Sequence, residues 1–303
     1  MTPKTFEGFH IYHYEEVSST NGKALDLIDR GISNETVIIA DKQTEGRGRT
    51  GRNWISPEGN FYASFIIDLL QIPSLGPSIT HWDGRLAVAA HLGVIPAHDA
   101  KIQCWNDRES LSKLTELTFV TALAVGNTLL SFINDSNVQY KWPNDIFVDG
   151  KKISGILLEK KSNSNWLVVG IGINIDHAPL LEATCINKLL SSSVVPVTDT
   201  EIQMQVPMSR ARMTLQNIYI LKELVINFNN LRKQWILDGF CAIREMWLKR
   251  AFKMNEQISV KFASKLHKGI FIDIDKGGRL VLQQKDGSLI YFDAGELFVN
   301  NIL

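Results

Sequence analysis

The nine residues Gly46-Arg47-Gly48-Arg49-Thr50-Gly51-Arg52-Asn53-Trp54 narrow the folds open to this chain more than any other stretch. Gly46, Gly48 and Gly51 fit G-x-G-x-x-G, but that dinucleotide fingerprint needs a helix opening at the glycines to hold a pyrophosphate on its N-terminus. Here turn formers follow, Asn53 to Asn60, and then an apolar, strand-like run from Phe61 to Ile67. The P-loop pattern fails as well, because Arg52-Asn53 stand where Lys-Ser/Thr should be. What is left is a loop between two strands. Its glycines bring backbone N–H groups close to a ligand, and its arginines offer planar forks suited to carboxylate or phosphate. With no anion inside, three cations repel one another, so the loop is expected to be mobile until a ligand orders it. A solvated surface loop or an RNA-binding arginine segment ranks below ligand binding, because the motif is short, single and framed by strands.

The rest of the chain gives those arginines more weight. Lys plus Arg equals Asp plus Glu at 32 each, so no global field recruits nucleic acid or a membrane and any basic site must be local. With 303 residues and 45% hydrophobic content, the chain can bury one large core and a smaller one. Cys104, Cys185 and Cys241 are far apart and odd in number, which favours reduced thiols and a cytoplasmic setting. The first residues lack a signal-peptide core, and no apolar run reaches the ~20 residues of a membrane span.

In chain order, His10 to Tyr14 reads as a strand, and Ser18-Ser19-Thr20-Asn21 as caps of a first helix ending near Gly31. Thr36 to Ala40 is a β-rich run that delivers Gln43 and the glycine/arginine loop. Residues 69–116 are broken by prolines and glycines, with only Leu86 to Leu92 of helical character. His81, His91 and His98 with Cys104 match no zinc spacing and read as surface or packing residues. Leu117 to Ile133 carries a helical apolar period. Val138 to Lys141 is a strand that stops at Pro143, placing Lys141, Asn144 and Asp145 at its end. Asp149-Gly150 suits a type I′ turn and makes the strongest hairpin signal in the chain.

Trp166 to Ile175 is a further strand ending at Asn174, with glycines that admit a close neighbour. Residues 191–212 read as loop. Thr214 to Trp235 and Ala242 to Arg250 read as helices. After Asn255, short apolar runs separated by Gly/Asp turns spell a small all-β barrel, so the domain boundary is placed near residue 253. The expected class is α+β, a mixed or antiparallel sheet with helices packed on it.

Four separated motifs occur in one order: Ser19-Thr20-Asn21; Gln43 with Gly46 to Trp54; Lys141-Trp142-Pro143-Asn144-Asp145 with Lys152 and Gly155; and Gly170-Ile171-Gly172-Ile173-Asn174. This combination resembles the biotin protein ligases, and the closing segment with Phe292 to Glu296 resembles that family's C-terminal domain. The resemblance implies a class II synthetase-like catalytic domain over residues 1–253 and a small SH3-like β-barrel over 254–303. Residues 69–116 and 191–212 depart from the family pattern. The chain starts almost at the first catalytic strand, without the winged helix of repressor-type members, which disfavours a DNA-binding role.

The activity the resemblance implies is ATP-dependent formation of biotinyl-AMP, followed by transfer of biotin to a lysine of a carboxylase carrier domain. ATP and Mg²⁺ are the implied cofactors, biotin is the substrate, and a homodimer is allowed. Arg47, Arg49, Arg52 and Lys152 then supply positive charge where a carboxylate must approach a polyanion. Lys152 bridges carboxylate and phosphate, while Ser19, Thr20, Gln43, Gly46, Arg47 and Gly155 surround biotin. Arg49, Arg52, Trp54, Asn144 and Asn174 hold ATP or the adenylate, Trp54 by stacking on adenine. Asp145 orients the carrier lysine or helps hold the metal. A lipoate or octanoate ligase and a degenerate biotin-binding sensor are the competing readings.

Overall fold

The computed structural model describes residues 4–72, 105–133, 137–161, 164–192 and 210–299. The strands in chain order are β1 (Lys4–Phe6), β2 (Phe9–Val17), β3 (Thr36–Gln43), β4 (Phe61–Asp68), β5 (Val138–Lys141), β6 (Asp145–Val148), β7 (Lys151–Lys160) and β8 (Trp166–Ile173), then β9 (Gln257–Phe262), β10 (Lys265–Ile274), β11 (Leu280–Gln283), β12 (Leu289–Phe292) and β13 (Glu296–Val299). The helices are α1 (Thr20–Asp29), α2 (Trp105–Leu130), α3 (Ile186–Ser192), α4 (Arg210–Asp238) and α5 (Phe240–Leu248). The first eight strands form one mixed sheet in the order β1-β2-β3-β4-β8-β7-β6-β5, and the last five a second sheet in the order β12-β11-β10-β9-β13. Among the described strands only β2 and β3 run parallel, joined through α1.

The central strands are apolar at nearly every position because both faces of the sheet are covered. In β3, Thr36 to Ala40 are all buried, and in β4 everything from Phe61 to Ile67 is buried. On one face Ala24 of α1 packs with Ile38, Ile66 and Val168. On the other, α2, α4 and α5 close the main core, where Phe119 meets Phe240 and Trp247 edge-on and Phe228 lies against Phe9 and Phe65. The hairpin between β6 and β7 turns at Asp149 (φ 49°) and Gly150 (φ 75°). Two positive φ values in succession are the type I′ geometry expected of Asp-Gly.

Several boundaries move. Helix α2 begins at Trp105, twelve positions before the apolar period becomes visible, because the stretch from Asn106 to Ser110 is polar and offers no stripe. The segment read as loop after Ser191 is shortened from both ends, since α3 runs to Ser192 and α4 starts at Arg210. Strands β1 and β13 are too short to alternate detectably. Leu86 to Leu92, the three histidines with Cys104, and residues 193–209 lie outside the described residues.

The five-stranded sheet and its turns touch the rest of the molecule through specific contacts. Trp142, 1% exposed, donates its indole N–H to the Gly278 carbonyl at 3.2 Å. Arg244 of α5 pairs with Asp273 of β10.

Candidate active site

The C-terminal ends of β3 and β8, the N-terminus of α1, the loop after β5 and one edge of the five-stranded sheet enclose a cavity of about 620 Å³. Ser19, Thr20, Gln43, Arg47, Arg49, Arg52, Trp54, Asn144, Asp145, Lys152, Gly155 and Asn174 all line it. Gly46 sits just behind, where a Cβ would come 2.3 Å from the Trp54 carbonyl oxygen and 2.5 Å from Ser56 Oγ. Any side chain there would push the loop off the sheet.

The loop itself is short and tied. Trp54 N–H donates to the Gly46 carbonyl at 2.8 Å, Arg47 and Asn53 form a β-bridge, and Arg49–Gly51 make a single 3₁₀ turn rather than a helix. The repulsion expected among the arginines is relieved because each goes to a different acceptor. Arg47 pairs with Glu159 at 3.1 Å, Arg49 donates to Asn144 Oδ1 at 3.1 Å, and Arg52 pairs with Glu296 of β13. Burial pushes the Arg49 guanidinium below its usual range, with Asp145 and Glu296 opposing the shift. The hydrogen bond that Arg52 donates to Glu296 pushes its guanidinium the other way.

Polar residues at the helix N-terminus form a continuous network. Ser19 caps α1, its hydroxyl accepting from Gly22 N–H at 3.4 Å. Gln43 Oε1 accepts from Thr20 N–H at 2.8 Å and lies 3.1 Å from Thr20 Oγ1; Gln43 Nε2 donates to Ser56 Oγ, and Ser56 donates to the Trp54 carbonyl. Across the cavity, Lys152 Nζ sits 2.7 Å from Asp145 and 5.2 Å from the centre of the Trp54 ring. That ring lies on bare backbone. A Cβ at Gly172 would come 2.6 Å from the indole Cε2 and Nε1, and one at Gly155 3.0 Å from Cζ3.

Two polar atoms here are buried without a hydrogen-bond partner, Trp54 Nε1 and Asn174 Oδ1, although Asn174 Nδ2 donates to the Thr184 carbonyl at 3.1 Å. Orphaned buried groups cost stability unless a ligand or water completes them. Both therefore mark places where a bound molecule can be met. Asn144 differs, since its Nδ2 already donates to the Ile156 carbonyl at 2.5 Å while its Oδ1 accepts from Arg49. Its amide positions Arg49 rather than standing open.

Sequence reasoning gave no role to Ser56, Ser64, Glu159 and Glu296, read Asn21 only as a helix cap, and named Lys141 only by its place at a strand end. Signals for two of them exist. Ser64 is a polar residue inside an apolar strand, and Glu159 follows Gly155 and Leu157 at the two-residue period that puts all three on the cavity face. Burial pushes the Lys141 ammonium below its usual range, with Asp145 opposing. No group of three or more His, Cys, Asp or Glu that could hold a metal occurs among the described residues.

A cationic lid over a cavity that is half apolar, on a mixed sheet with both faces covered, defines a class of proteins that grip a small carboxylated or phosphorylated molecule. Residues 15–176 match the biotin/lipoate A/B protein ligase family, and residues 254–299 match the biotin protein ligase C-terminal domain. The chain belongs to the biotin/lipoate A/B protein ligase family, among its biotin protein ligases. It is similar to the biotin–[acetyl-CoA-carboxylase] ligase of Paracoccus denitrificans, with 30% identity over 92% of this chain and 96% of the relative. Similarity to the bifunctional ligase/repressor BirA of Bacillus subtilis is 24% over 92% of this chain and 71% of that one. Among solved structures, the biotin protein ligase from Aquifex aeolicus in complex with biotin and ATP superposes with a TM-score of 0.66 at 21% identity, covering 96% of this chain and 98% of that one. That likeness carries the fold.

Proposed function

We propose that this protein is an AMP-forming biotin ligase that modifies a lysine of a carboxylase carrier domain. The observation that supports it most is the meeting of four sequence motifs, spread from Ser19 to Asn174, on one cavity. Relatives named for the same reaction agree with it.

In the first step a biotin carboxylate oxygen attacks the α-phosphorus of ATP. The bond to the β-phosphate oxygen breaks, and biotinyl-AMP and pyrophosphate form. Lys152 and Arg49 are the cations that bring carboxylate and phosphate together, because charge aimed at the transferring group in a water-poor site stabilises its transition state. Thr20, Ser19 and Gln43 offer hydrogen bonds to the ureido ring, with Gly46, Arg47 and Gly155 around it. Trp54 and Asn174, with their orphaned Nε1 and Oδ1, face the adenine. Arg52 and Asn144 hold the lid over the nucleotide. In the second step the carrier amine attacks the acyl carbon, loses a proton, and releases AMP.

Magnesium, when bound, neutralises phosphate charge during the displacement. The donor set fits an ion carried mostly by phosphates, with Asp145 the protein carboxylate placed to hold it, since magnesium keeps few protein ligands in such sites. Asp145 is the alternative anchor for the carrier lysine.

The architecture proposed is a class II synthetase-like catalytic domain over 1–253 and an SH3-like barrel over 254–303, supported by the separate five-stranded sheet that starts at Gln257. The free Cys185 and Cys241 are compatible with a cytoplasmic setting. The purified protein, given Mg-ATP with biotin or lipoate, is expected to release pyrophosphate with biotin and then label a carrier domain. No pyrophosphate with biotin would sink the proposal; release with lipoate alone points to a lipoate ligase, and release without labelling to a sensor.

A further inference from the structure

We infer that Glu159 is a positioning residue, which holds Arg47 against the N-terminus of α1 and so keeps the lid shut over the activated intermediate. The inference rests on the ligase reading above and adds a part to its site.

Arg47 is awkwardly placed. A Cβ at Gly22, in the first turn of α1, would lie 4.0 Å from Arg47 Nη2, so the guanidinium sits over the positive end of the helix. A cation is disfavoured there, and α1 has no acidic residue of its own in that turn. The missing anion comes from β7. Glu159 Oε2 accepts from Arg47 Nη2 at 3.1 Å and from Asn21 Nδ2 at 2.6 Å.

From Asn21 the network runs inward. Asn21 Oδ1 is 2.5 Å from Ser64 Oγ, and Ser64 Oγ is 2.8 Å from Thr20 Oγ1. An amide oxygen only accepts, so the single proton of Ser64 goes to Asn21, and Ser64 must accept from Thr20. Every donor in this branch therefore points toward the Glu159 carboxylate. Thr20 N–H and Gln43 join it to the other branch, in which Gln43 donates to Ser56 and Ser56 to the Trp54 carbonyl.

One polar chain thus grips the lid twice, by Arg47 at its start and by Trp54 at its end. Asn21 rests on the bare backbone of Gly170, where a Cβ would be 2.3 Å from Asn21 Oδ1. Among the described residues Glu159 is the only charged acceptor that this chain of bonds reaches.

The test uses the full-length enzyme loaded with biotin and Mg-ATP and freed of excess ligand. Release of labelled biotinyl-AMP is followed in wild type, Glu159→Gln, Arg47→Met and the double variant, with single-turnover pyrophosphate formation and thermal melting alongside. Glutamine keeps an oxygen for Asn21 but removes the charge from Arg47. Release should speed up about tenfold, the size of one charged hydrogen bond at a partly exposed site. Pyrophosphate formation should change less than release, Glu159→Asp should fall between wild type and Glu159→Gln, and the double variant should release no faster than Arg47→Met.

Release unchanged in Glu159→Gln overturns the inference. So do effects that multiply in the double variant, or release rates that merely follow loss of melting temperature, since both describe a structural glutamate. If Glu159→Gln does not fold, Arg47→Met carries the test from the lid side, and retention equal to wild type refutes the latch. Wild-type enzyme that makes no adenylate refutes the ligase reading instead, so the two failures are separable.

Discussion

Replacing Gly172 by alanine puts the floor of the proposed nucleotide site to a quantitative test. The new Cβ would stand 2.6 Å from Cε2 and Nε1 of Trp54 and 2.9 Å from Cζ2. Carbon contacts settle near 3.5–4.0 Å, so the indole must retreat by about 1 Å. Its backbone cannot follow, because Trp54 N–H is held by Gly46 and its carbonyl by Ser56. The ring has to swing. Crowding a packed site costs ~1–3 kcal/mol, whereas removing a glycine from a strand recovers roughly 0.5–1 kcal/mol. The net loss is therefore ~0–2.5 kcal/mol, a melting temperature lower by at most a few degrees. An aromatic stack is worth about 0.5–1.5 kcal/mol, so a displaced ring should raise KM for ATP about two- to tenfold. The measurement is pyrophosphate release at varied ATP and at varied biotin, beside a thermal melt. An unchanged KM for ATP would show that the ring position does not serve the nucleotide. A rise confined to biotin would show that the indole covers the other substrate.

Three further outcomes are expected. Arg49→Gly should still form biotinyl-AMP but lose it faster, seen as acylation of lysines on a bystander protein; equal retention would remove Arg49 from that role. Asn60→Ala strips the shared acceptor from the N–H groups of Ile175, Asp176 and His177, and should cost about 2–3 kcal/mol in urea unfolding, as one buried and two partly buried donors go unpaired. A loss under about 1 kcal/mol would mean that water replaces the amide. Lys141→Met should melt above wild type at pH 7, because burial disfavours the charged amine and holds its pKa below the ordinary 10.5. That penalty is complete below the folded pKa and fades as pH rises toward 10.5, so the gap should close in alkali; a constant gap would assign it to packing alone.

What could be read in advance follows from how far apart the interacting residues lie. The turn at Asp149-Gly150 and the cap at Ser19 are local statements, and turn chemistry reveals them; the glycines of β8 announce a close neighbour but not that it is Trp54. The cations of the site are legible for the same reason, clustered within a few positions. Their acceptors are not. Glu159 is 112 positions from Arg47 and Glu296 is 244 from Arg52, and no short pattern encodes such pairings. Helix α2 shows the same limit, since its polar first turns carry no apolar period.

The ion pair between Arg52 and Glu296 also has a consequence in time. A ribosome delivers Arg52 early and Glu296 244 residues later, so a growing chain owns every motif proposed to grip the small molecules before it owns the lid's second anchor. An adenylate made at that stage would leak onto neighbouring amines. Placing the anchor in β13 makes a shut lid depend on the folding of the five-stranded sheet, and ties the handling of a reactive acyl phosphate to that sheet.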